Sequence, residues 1–147
     1  MKKIRTLIVD DEPVARNGLE LLLSRDTEIE LIGSAPDGKL GLERIRTEEP
    51  DLIFLDIELP ELDGFGVLDE LAPAEKPHVV FVSAHEHHAV RAFAVAAVDY
   101  LLKPYSRARF ATALSRAKQA VRRAREASLS QRVQELLDQV NRLEAPA

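Results

Sequence analysis

The chain contains no cysteine, which excludes disulfide staples and thiolate metal centres and agrees with a reducing compartment. It also lacks any apolar run approaching the roughly 18 residues of a membrane span. The opening Met-Lys-Lys-Ile-Arg has none of the apolar stretch of a signal peptide. A cytoplasmic protein without membrane association is the expectation. No internal repeat or low-complexity segment interrupts the sequence, and 147 residues suit one domain with a core of its own. Positive charge is scarce over most of the length: residues 1–105 hold 11 Lys/Arg against 21 Asp/Glu, whereas 106–147 hold 9 against 4. An acidic body precedes a basic tail.

The acidic body is organised around residues 51–66, where an apolar run ends in Asp56 and then turns through Pro60 and Gly64. Leu52 to Leu55 is too short for a helix, is flanked by Pro50, and suits a strand covered on both faces. Asp56 then stands at the strand's C-terminal end. Four other segments repeat this logic. Ile4 to Val9 ends in Asp10-Asp11, Ile29 to Ala35 in the Asp37-Gly38 turn, His78 to Val82 in Ser83, and Val98 to Leu102 in Lys103-Pro104.

Between the strands lie helical patterns. Pro13 opens the first, which runs to about Ser24 with Val14, Leu19, Leu22 and Leu23 as its apolar face. The second carries Leu40, Leu42 and Ile45 and stops at Pro50, and the third spans Gly64 to Leu71. Residues 84–96 predict a fourth with Val90, Phe93 and Ala94 inward, and Ser106 caps a long fifth. Strict alternation of strand and helix implies a parallel α/β sheet with helices on both faces. A C-terminal helical extension follows the fifth strand.

In such a sheet the C-terminal strand ends share one edge, so Asp10, Asp11, Asp56, Ser83 and Lys103 converge there. Three carboxylates without histidine or cysteine suit a hard cation, Mg²⁺ or Mn²⁺. A lysine ammonium and a hydroxyl complement the equatorial oxygens of a phosphoryl group. Phosphoryl transfer onto Asp56, a carboxylate nucleophile, is the chemistry that uses all of them.

The motifs Leu-Ile-Val-Asp-Asp-Glu-Pro (7–13), Leu-Asp-Ile-Glu-Leu-Pro-Glu-Leu-Asp-Gly (55–64), Val-Ser-Ala (82–84) and Asp-Tyr-Leu-Leu-Lys-Pro (99–104) resemble the response-regulator receiver domain of bacterial two-component signalling. The resemblance runs from about Lys3 to about Val121 and implies a flavodoxin-like doubly wound sheet of order 2-1-3-4-5 with five helices. It implies that Asp56 accepts phosphate from a sensor histidine kinase in a Mg²⁺-dependent reaction that the domain itself catalyses and reverses. It further implies that Asp11, Asp56 and the Glu58 backbone carbonyl hold the ion, with Asp10 acting through a water. Ser83 and Lys103 would contact the phosphoryl group, Lys103-Pro104 would be cis, and Tyr100 would be a switch aromatic that turns when Ser83 is drawn in. Residues 89–105 resemble receivers that precede a LytTR DNA-binding domain. After residues 1–123 as receiver, 124–147 would be a helical linker or dimerisation segment without an output domain, so any DNA contact lies outside this chain.

Other readings share parts of the pattern. A haloacid dehalogenase-type phosphatase also uses an aspartyl nucleophile, Mg²⁺ and lysine, but its nucleophile lies on the first strand. A flavodoxin-like FMN binder shares the fold class, yet Asp10, Asp11 and Glu12 in the first loop would repel a phosphate. A phosphate-independent scaffold would carry the acidic site without using it. His85-Glu86-His87-His88 lacks the helical spacing of a metal motif, and these histidines are expected in solvent, His85 at the rim of the site.

In the tail, Phe110, Leu114, Ala117, Val121 and Ala124 form one apolar stripe and Leu129, Val133, Leu136, Val140 and Leu143 another. The two are out of phase. Ser128 with Gln131 predicts a cap for a new helix between them. The second stripe has no part of its own chain to cover it, so a symmetric homodimer is expected, with the segment pairing with its twin or folding on the switch face.

Overall fold

Leu52–Asp56 forms the central strand and is buried at all five positions. Its side chains alternate between two cores: Leu52 and Phe54 face one layer, Ile53 and Leu55 the other. That is why its sequence is continuously apolar rather than alternating. The computed structural model describes residues 2–144. Around β3 (Leu52–Asp56) lie β1 (Ile4–Val9), β2 (Ile29–Ala35), β4 (His78–Ser83) and β5 (Asp99–Leu102). All pairs are parallel and the order is β2-β1-β3-β4-β5, the expected flavodoxin-like sheet.

The connecting helices are α1 (Pro13–Ser24), α2 (Gly38–Glu48), α3 (Gly64–Asp69), α4 (Ala89–Ala94) and α5 (Arg107–Glu144). Leu19 and Leu23 of α1 and Phe110, Leu114, Ala117 and Val121 of α5 cover one face of the sheet, packed on Ile8, Phe54 and Val80. Ile45 of α2, Phe65 and Val67 of α3 and Ala92 of α4 cover the other, packed on Leu7, Leu55 and Phe81. Asp37 and Asp63 cap α2 and α3 by accepting from the backbone N–H groups of Leu40 and Gly66, both at 2.8 Å. Ser106 accepts from Arg109 N–H at 3.0 Å and starts α5 as expected.

Several inward assignments are corrected. Val14 is 84% exposed, because it lies five residues before Leu19 and so about 140° round the helix from it. Val90 and Phe93 are 82% and 86% exposed, and Ala94 is also exposed. The residue that α4 buries is Ala92, on the opposite side, where a small side chain lets this six-residue helix approach the sheet. Residues 84–96 are therefore not one helix: a 3₁₀ turn at Glu86–His88 precedes α4, and Ala96 at φ 59° turns the chain towards β5. Ala124 is exposed as well; Arg125 makes the next contact with the body.

The proposed break at Ser128 is absent. α5 runs unbroken for 38 residues, and Gln131 donates to Glu135 rather than capping. No glycine or proline occurs between Tyr105 and Glu144, and a single serine weakens a helix of Ala, Arg, Leu and Gln by only a few tenths of a kcal/mol. No helix among the described residues is long and apolar enough to cross a membrane.

Candidate functional site

β1, β3, β4 and β5 end side by side, and their terminal residues meet as the sequence implied. Asp10 follows Val9 and is 1% exposed; its Oδ1 accepts from the Glu12 N–H at 2.9 Å, which bends the chain away from the sheet. Asp56 ends β3 at 3% exposure, with Oδ1 held by the Glu58 N–H at 2.9 Å. Gly64 lets the start of α3 cross directly above it: a Cβ at that position would lie 2.7 Å from the Asp56 carbonyl oxygen.

Lys103 enters from the end of β5, its backbone N–H bonded to the Ser83 carbonyl at 2.7 Å and its peptide bond to Pro104 cis. Its Nζ lies 3.1 Å from Asp56 Oδ2, 3.0 Å from Asp10 Oδ2 and 2.8 Å from Glu12 Oε1. Asp10, Asp11, Glu12 and Asp56 each place a carboxylate oxygen within 4.8 Å of the others. One ammonium thus pairs with three carboxylates of a cluster of four. Burial, and then the neighbouring Asp10 charge, push the Asp56 carboxyl up to about 7 despite Lys103. Burial opposes the charge on Lys103, but hydrogen bonds to Glu12 and Asp10 and the surrounding carboxylates raise its pKa above the ordinary lysine value.

Asp10 Oδ2 is fully buried, and its polar contact among the described residues is the Lys103 ammonium at 3.0 Å. A buried carboxylate oxygen left in this state, within an oxygen-only cluster of excess negative charge, fits a small hard cation.

Ser83 is fully buried; its single hydroxyl proton is directed at Glu58 Oε1 with the His85 carbonyl 3.1 Å away as a second acceptor, and its oxygen accepts from the His85 N–H at 2.9 Å. The Tyr100 hydroxyl donates to the same His85 carbonyl. Burial opposes ionisation of Glu58, yet bonds from Ser83 and the backbone hold its pKa below the usual carboxylate range. His85 and His88 approach Glu58 Oε1 at 3.8 and 4.0 Å. His85 is exposed at the rim, as expected. Asp11, Glu12, Asp56, Glu58, Ala84, His85 and Lys103 line a shallow cleft of about 160 Å³.

Two side chains were not anticipated. Glu12, read in the sequence only as an acidic residue of the first loop, joins the carboxylate cluster and pairs with Lys103; its position directly after Asp10-Asp11 was the available signal. The Glu58 side chain belongs to the Ser83 network rather than to the cluster, and nothing in the sequence separation of 25 residues announced that bond.

Residues 6–115 match the family model of the response regulator receiver domain. The chain belongs to this family. Among curated relatives of the receiver, the transcriptional regulatory protein BtsR of Escherichia coli K12 is 39% identical over 116 residues, covering 79% of this chain and 48% of BtsR. A response regulatory protein of Vibrio vulnificus is 39% identical over 141 residues, 93% of this chain and 57% of that protein. The receiver chain spans about half the length of these relatives. Among solved structures, the response regulatory domain of mrkE from Klebsiella pneumoniae superposes with a TM-score of 0.74 at 36% identity, covering 82% of this chain and 99% of that one.

Proposed function

We propose that this receiver takes a phosphoryl group onto Asp56 from the phosphohistidine of a sensor kinase. The observation that carries the reading is the placement of Lys103 Nζ 3.1 Å from a buried Asp56 at the tip of the central strand. An Asp56 carboxylate oxygen forms the new bond to phosphorus as the donor's P–N bond breaks, and the electron pair leaves with the imidazole. Lys103 is positioned to compensate charge on the transferred group, and Ser83 to donate to it after releasing Glu58. Asp10, Asp11, Asp56 and the Glu58 backbone carbonyl would hold Mg²⁺ or Mn²⁺. That ion would neutralise charge on the phosphoryl oxygens. Intact mass after treatment with acetyl phosphate and Mg²⁺ should rise by one phosphoryl group, and should not rise with chelator or in Asp56→Asn. A full rise in Asp56→Asn would refute the assignment.

The raised Asp56 pKa gives metal binding a direction in pH. A carboxyl pushed from 3.8 to about 7 is protonated below neutrality, and a cation must expel that proton. Mg²⁺ affinity is therefore expected to be about tenfold weaker at pH 6 than at pH 8. Calorimetric titration at the two values checks it, and equal affinities would contradict the electrostatic reading.

Signalling would leave the site through Ser83. Its bonds to Glu58 and to the His85 backbone share the His85 carbonyl with the Tyr100 hydroxyl, so moving Ser83 disturbs the anchor of Tyr100. Crystals grown with and without beryllofluoride should show different Tyr100 rotamers and a different surface over α4, β5 and α5. Identical rotamers would remove the switch.

The output is proposed to be transcriptional, through a LytTR-type DNA-binding domain that follows such receivers, with no nucleic-acid contact by this chain and a cytoplasmic setting. Residues 1–123 would act as the receiver and 124–147 as a linker that supports a homodimer; 145–147 lie outside the described residues.

A further inference from the structure

We infer that the overhanging half of α5 is one strand of a parallel, two-stranded coiled coil whose partner is a second copy of this chain. This rests on the homodimer proposed above and assigns its seam and orientation. Leu129, Val133, Leu136, Val140 and Leu143 are all exposed and recur at alternating spacings of four and three. In heptad terms leucine occupies every d position and valine every a position. β-Branched residues at a with leucine at d favour two parallel strands. The flanking g and e positions raise no like-charge conflict between twins: Arg132 would face Leu137 of the other copy, and Gln139 would face Glu144.

Two heptads in isolation are marginal in water, because nucleating a helix is costly. Here the nucleus already exists. α5 is continuous from the half docked on the sheet, and Arg125 clamps it just before the seam, donating to the carbonyls of Lys2 and Lys3 at 3.0 Å each and to Asp51 at 3.2 Å. The chain thus presents a preformed apolar stripe, and pairing need not order it first.

The phase of the stripe also leaves room for a parallel twin. At 3.6 residues per turn, the seam is rotated by roughly 100° from the stripe formed by Phe110, Leu114, Ala117 and Val121. Were the two in phase, both receiver bodies would sit on the same side as the dimer axis and collide. With this rotation each body flanks the coil, and the two helices reach Glu144 side by side.

The absence of native cysteine makes the test direct. Leu129→Cys, Leu143→Cys and, as control at an outward b position, Gln134→Cys are made singly in the full chain and oxidised, with light scattering on the unmodified protein. Disulfide-linked dimers from both Leu129→Cys and Leu143→Cys, several-fold above Gln134→Cys, are the expected result. Leu136→Glu, which leaves the receiver body untouched, should raise the dimer Kd by more than about tenfold. Cross-links that form only when the 129 and 143 variants are mixed would mean an antiparallel pair and overturn the inference. A dimer by light scattering with no cross-link at either position would overturn the coil while leaving the dimer standing. Monomers throughout, with and without beryllofluoride, would remove both.

Discussion

Lys103→Met is expected to slow phosphorylation of Asp56 by about 10²–10³-fold, the loss typical when one preorganised donor to a developing anionic transition state is removed. Two effects act in the same direction. The phosphoryl oxygens would lose the cation stationed 3.1 Å from the acceptor, and Asp56 loses the ammonium that holds its raised pKa in check against burial and Asp10. A larger fraction of Asp56 is then protonated and not nucleophilic at neutral pH. Lys103→Arg should rescue poorly, since a planar fork cannot occupy the point between Asp10, Glu12 and Asp56 that a compact ammonium fills. Mg²⁺ binding should survive at alkaline pH, where Asp56 is ionised and a competing positive charge has left the cluster. Initial rates with acetyl phosphate, alongside Mg²⁺ titration, separate these outcomes; an unchanged rate would show that Lys103 is only a structural counter-ion.

The second large effect is on stability. Phe54→Ala should destabilise the protein by about 3–5 kcal/mol, a large share of a typical domain's total. Phe54 is fully buried in β3 with its ring 5.7 Å from that of Phe110, so it joins the central strand to α5. Phe93→Ala removes the same atoms from a side chain that is 86% exposed and should change stability by no more than about 0.5 kcal/mol. Denaturant midpoints of the pair measure the difference. Comparable losses would mean that the outward direction of Phe93 is wrong. Should Phe54→Ala fail to fold, Phe54→Leu keeps the comparison measurable at a smaller loss.

The contrast between these two phenylalanines shows what a sequence conveys. Phe54 stands in an unbroken apolar run between turn signals, where length and flanks settle both strand and burial. Phe93 stands with Val90 and Ala94 at helical spacing, which defines a stripe but not the surface that the stripe faces. Ala92, the residue α4 does bury, carries no hydrophobic signal of its own. Val14 was misplaced for a related reason, being grouped with Leu19, Leu22 and Leu23 by apolarity although its angle on the helix excludes it. The convergence of Asp10, Asp56, Ser83 and Lys103 followed from topology alone, because each ends a parallel strand. Glu12 and the Ser83–Glu58 bond did not follow, since they depend on side-chain reach across loops. The continuity of α5 through Ser128 was hidden by a change of phase that resembles a break; the helix passes through it because nothing in residues 107–144 interrupts its backbone bonds.

Asp56 as phosphoacceptor is tested most directly at residue level. An aspartyl phosphate formed with acetyl phosphate and Mg²⁺ is reduced by borohydride to homoserine, which marks the modified position permanently for peptide mass spectrometry. Homoserine at position 56 in the native chain, and at no position in Asp56→Asn, is the predicted result. Homoserine at Asp10, Asp11 or another carboxylate of the native chain, or none anywhere, would contradict it.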